Sequence, residues 1–122
     1  MDDRALKAVL DKVREWTPYD GDALLDDVGA VLDYQLPPEE LHDELAQRLR
    51  GHLMQLVDIA VGANADQDDE AANRLIQQAR AVRSQEMPDD HWKAVGHLRR
   101  MAWTANELLE RLVATKCLRA AA

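Results

Sequence analysis

The stretch AVGHLRRMAWTANELLERL, Ala94–Leu112, decides how the chain folds. Val95, Leu98, Met101, Ala102, Ala105, Leu109 and Leu112 recur in steps of three and four, the period of a helix buried along one face. With each residue advancing about 100°, Leu98 lies within that face, His97 at its edge and Gly96 almost opposite. The far side carries a second stripe, Trp92, Gly96, Arg99 and Trp103, at steps of four, three and four. A glycine inside a helix costs about 1 kcal/mol relative to alanine, and this one stands between two large aromatics. Tryptophan and arginine are enriched in interfaces, so the spacing predicts a helix covered on two sides. The second cover is either an N-terminal helix bringing Val9, Val13 and Trp16, or another subunit.

Gly-His-Leu also occurs earlier, as Gly51, His52 and Leu53 within LRGHLMQL, Leu49–Leu56. There Leu41, Leu45, Leu49, Leu53, Leu56 and Ala60 define a face, with His52 inside it and Gly51 roughly opposite. The helical period extends along the chain. Helices are expected over 3–15, with Leu6, Val9, Leu10 and Val13 as a stripe; over 22–33, with Leu24, Leu25, Val28, Val31 and Leu32 as one face; and over 38–61. Two more are expected over 69–83, burying Ala72, Leu75, Ile76, Ala79 and Val82, and over 89–118. Breaks fall at WTPYDG, at Pro37 and Pro38, at Gly62 with the acidic loop ANADQDD, and at SQEMPDD. No segment alternates with period two. The expected fold is all-α: one domain, 1–122, an antiparallel up-down bundle of four main helices with the 3–15 helix appended.

The chain has 122 residues and a formal net charge of −8. Residues 1–46 hold thirteen acids against four bases, and residues 97–122 two acids against five bases. An acidic chain repels phosphate backbones, which argues against nucleic-acid binding, and the basic tail is expected to pair with the acidic front within or between chains. A lone Cys117, no apolar run of the roughly 18 residues needed to span a bilayer, and an N-terminus without an export signal lead to the expectation of a cytoplasmic protein off the membrane.

Chemistry-bearing patterns are few. Glu39 and His42 have the Glu-x-x-His spacing of di-iron bundles, but no second copy and no further pair of inward glutamates accompanies them, so no metal is expected. The acidic run at 66–70 lacks the alternation and the closing glutamate of a calcium loop. His52 has no serine or cysteine nucleophile in train, Cys117 reads as a frayed terminal thiol, and no catalytic residue or cofactor is expected.

At LPPEELHDELAQRLRGHLMQLV and AVGHLRRMAWTANELLERL the chain resembles a family of small, uncharacterised actinomycete proteins associated with natural-product biosynthesis. The resemblance rests on Leu49, Arg50, Gly51, His52 and Leu53, then His97, Arg99, Arg100, Met101, Ala102, Asn106 and Leu108, and spans about residues 22–113. It implies a pathway context and carries over no catalytic residue. The function expected is therefore a non-catalytic helical accessory protein, a homodimer or partner-bound through Gly51, Trp92, Gly96, Arg99 and Trp103, the glycines letting backbones approach closely. The alternative is a small-molecule-binding bundle or minor tailoring enzyme using His52, with His97, Arg100 and Asn106.

Overall fold

The computed structural model describes residues 21–33 and 37–117; the expected 3–15 helix lies outside them. Leu24, Val28 and Val31, spaced four and three, are the buried residues of α1, Gly21–Leu32. Pro37 and Pro38 lead into a single 3-10 turn, Glu39–Leu41, and then α2, His42–Gly62. The expected start at Pro38 is thus four residues early. His42 turns back and its Nε2 donates to the Pro37 carbonyl at 3.1 Å, locking the entry to the helix.

α2 ends where Asn64 adopts a left-handed conformation, φ 59°, with its N–H donating to the Val61 carbonyl at 3.0 Å. Gly62, expected to break the helix, is its last residue. The acidic stretch expected as plain loop folds into a one-turn helix, α3, Ala65–Asp68, with Ala65 buried. Asp69 then starts α4, Glu70–Ser84: its carboxylate accepts from the Ala71 N–H at 3.1 Å, an N-cap for which aspartate is well suited. Asp90 caps α5, His91–Ala114, in the same manner through Lys93 N–H. α5 stops four residues before the expected Leu118. Lys116 goes left-handed at φ 62°, and the Cys117 N–H donates to the Leu112 carbonyl at 2.8 Å, the pattern of a Schellman cap. Cys117 is therefore the closing residue of a helix end, packed against the core, and not a frayed thiol.

The result is an all-helical bundle. α2 and α5 form the central pair, and both α1 and α4 pack on both of them. His42 and His91, near the starts of α2 and α5, stack at 4.9 Å, so these two helices set out from the same end. α4 runs the other way: its N-cap Asp69 takes a two-pronged ion pair from Arg111 near the end of α5, at 2.6 and 2.9 Å. That pairing holds the Asp69 carboxyl below the usual carboxylate range. α4 meets α5 on the Thr104 side, through Gln78, and α1 meets it on the Arg99 side. Those two directions differ by about 140° around the helix, so α1 and α4 flank α5 on opposite sides.

This double flanking widens the buried arc of α5. Besides the expected Val95, Leu98, Met101, Ala102, Ala105 and Leu112, it includes Ala94, His97, Thr104 and Leu108, while Leu109 is only half-buried. Leu49, Leu53 and Leu56 of α2 and Ile76 of α4 complete the core, each fully covered. Burying one such side chain contributes about 1.5–3 kcal/mol.

Candidate functional site

Opposite its core, α5 carries the stripe expected to be covered by a second element or subunit. Trp92 is 69% exposed and Trp103 53%, on the same side of the helix. Between them Gly96 and Arg99 are half-buried. A Cβ built on Gly96 meets no described atom within 4 Å, so within one chain the glycine is not required by a neighbour. Isolated exposed leucines are ordinary, but two exposed indoles on one stripe are not.

The surface continues onto α1. Leu32 and Asp33 join Arg99 and Trp103 around an open cleft of about 330 Å³. Leu25, one heptad before Leu32 and on its side of α1, is 47% exposed. The expected single apolar face of α1 is thus divided: Leu24, Val28 and Val31 enter the core, Leu32 packs half-buried against it while lining the cleft with Trp103, and Leu25 is left exposed. Five apolar residues in a helix of this length were more than one stripe requires, which was the signal available. The Nε of Arg99 is buried and makes no hydrogen bond among the described residues, leaving a donor unmet in the middle of the patch.

The other expected site residues are dispersed. His52 points toward α1, where its Nε2 donates to Asp27 Oδ2 at 3.0 Å; Arg48 reaches the other oxygen at 3.5 Å and Glu44 at 2.6 Å. Together they tie α1 to α2. His97 lies on the α4 side, 1% exposed, and its Nε2 has no hydrogen-bond partner among the described residues. Burial, then the nearby Arg100 and Arg50 guanidiniums, push the imidazole below its ordinary value and keep it neutral. Arg50 itself donates to the Gln85 carbonyl at 3.2 Å, just past the end of α4. Arg100 is exposed, and Asn106, one heptad from Arg99, donates to Glu110 at 3.4 Å. Of the four residues expected to bind a ligand, His97 and Arg100 thus lie near one another, while His52 is engaged toward α1 and Asn106 with Glu110.

Gly51 likewise has no described atom within 4 Å of a built Cβ. His42, the imidazole of the Glu-x-x-His pattern, is buried against His91 and bonded to backbone, and its Glu39 is exposed. Among the described residues no three His, Cys, Asp or Glu side chains are grouped to hold a metal ion. None of the described helices is long and apolar enough to cross a membrane.

What the arrangement offers is an apolar, aromatic, partly cationic strip on α5 that meets the end of α1 at the cleft. No curated protein and no solved structure matches the chain. Residues 22–117, which take in the bundle from α1 to the cap at Cys117, match the model of a family, and the chain accordingly belongs to DUF6415, a family of unknown function.

Proposed function

We propose that this protein is a non-catalytic helical accessory protein that works by association, through the outer face of α5. One observation carries the reading: Trp92 and Trp103 stand exposed on a single stripe around Gly96 and Arg99. Aromatic rings with an arginine among them are what interface centres are made of, and leaving them in water forfeits their burial. Leu25, exposed on α1, and Leu32, which lines the cleft with Trp103, extend the strip. The resemblance at Leu49–Leu53 and at His97, Arg99, Arg100, Met101, Ala102, Asn106 and Leu108 to proteins associated with natural-product biosynthesis supports a place beside the enzymes of such a pathway, and the lone cysteine supports a cytoplasmic setting.

Acrylamide quenching of indole emission tests the reading, with Trp16→Phe as background so that only Trp92 and Trp103 report. The expected result is shielding at high protein concentration that is lost on dilution. Indoles equally open to quencher at every concentration overturn self-association, and indoles equally shielded at every concentration overturn the exposed patch.

A second reading, a small-molecule-binding bundle or minor tailoring enzyme built on an inward histidine, is favoured by one observation, the buried His97 Nε2 with no partner among the described residues. It expects a thermal-shift screen of small acids and amines to give hits that His97→Leu abolishes. A blank screen removes it.

A further inference from the structure

The outer stripe of α5 has a symmetry that its chemistry shares. Trp92 and Trp103 have the same midpoint as Gly96 and Arg99, between His97 and Leu98. Turned end for end about that midpoint, the stripe lays a tryptophan on a tryptophan and an arginine on a glycine. A twofold interface imposes this condition: if residue i meets j of the partner, j meets i in return.

We propose that two copies of this chain pair α5 against α5, antiparallel, about a twofold axis crossing the helix between His97 and Leu98. This rests on the reading that the outer face of α5 is a docking surface, and names its occupant as a second copy. Trp92 packs on the partner's Trp103 at each end of the contact. In the middle, Arg99 extends over the partner's Gly96, where no described side chain beyond its chain neighbours stands within 4 Å of the Cβ position. Two arginines meeting near the axis need counter-charge, and Asp33 lines the same cleft as Arg99 in each copy.

α2 provides a control within the molecule. Gln47, Gly51, Met54 and Asp58 stand at the same steps of four, three and four, so spacing alone is not the signal. There the inverted stripe sets glutamine on aspartate and methionine on glycine, with no aromatic anchor.

Register-specific cross-linking tests the pairing. In a Cys117→Ser background, one preparation carries Asp89→Cys and another Asn106→Cys, positions that share the same midpoint and carry no anchor. The antiparallel pair brings residue 89 of one copy beside residue 106 of the other, while like positions stay more than about 20 Å apart, from the helical rise between His91 and Asn106. A short bis-maleimide is expected to cross-link the mixture and neither preparation alone. Cross-linking within each single preparation overturns the antiparallel register. If that sample is nevertheless dimeric and Trp92→Ala/Trp103→Ala makes it monomeric, the docking surface stands and only the pairing falls. A monomer without cross-links, its indoles shielded from acrylamide, overturns both, the cover then being residues of the same chain.

Discussion

The two Gly-His-Leu triplets, Gly51 to Leu53 in α2 and Gly96 to Leu98 in α5, share letters and helical geometry but differ in their company. Both leucines are fully buried and both glycines face open space. The histidines diverge: His52 stays partly exposed and donates a hydrogen bond to Asp27 across to α1, whereas His97 is sealed on the α4 side, its Nε2 without a partner among the described residues. The outer stripes diverge further, with Gln47 and Asp58 around Gly51 where Trp92 and Trp103 stand around Gly96. The two triplets therefore differ in what surrounds the repeated letters.

The leucines are where the two triplets should agree. Leu53→Ala and Leu98→Ala are each expected to cost about 2–5 kcal/mol in guanidinium unfolding, the usual range for truncating a sealed leucine. A loss well under 1 kcal/mol at either site would break the equivalence and show that site to be loosely packed.

The histidines should differ in acid. The native state keeps His97 neutral below its ordinary value, so as pH falls under about 6.5 the unfolded chain takes up a proton first and stability declines. The decline continues down to the lowered native value and is no steeper than about 1.4 kcal/mol per pH unit. Above neutral pH the group contributes no pH dependence. Unfolding titrations of His97→Gln are expected to lack this component; an unchanged slope would place the acid sensitivity elsewhere.

The smallest effects belong to the glycines. Gly51→Ala and Gly96→Ala each add a Cβ into open space within a helix and should stabilise the isolated chain by up to about 1 kcal/mol, read as a higher melting temperature. Larger replacements separate them: Gly96→Gln should weaken association by filling the space under the partner's Arg99, and Gly51→Gln should leave it untouched.

Much of this was legible because helical period is a local property. The helix faces through Leu45, Leu49, Leu53 and Leu56, and through Leu98, Met101 and Ala105, follow from spacing, as does the outer Trp92–Trp103 stripe. What spacing could not supply depends on neighbours. The burial of His97 requires knowing that α4 closes over the edge of α5, and the partner of His52 requires the register of α1, which places Asp27 opposite it. Leu25 falls outside the core because Leu24, Val28 and Val31 take α1's inner face. The helix end at Ala114 was hidden because Lys116, not glycine or asparagine, takes the left-handed cap.

Light scattering on the intact chain, beside Trp92→Ala/Trp103→Ala, tests the central claim most directly. The native protein is expected to show the mass of two chains, falling on dilution, and the double variant the mass of one with unchanged helical circular dichroism. A native protein of one-chain mass at every concentration, or a double variant that keeps the two-chain mass, would contradict the assignment of the outer face of α5 as an interface.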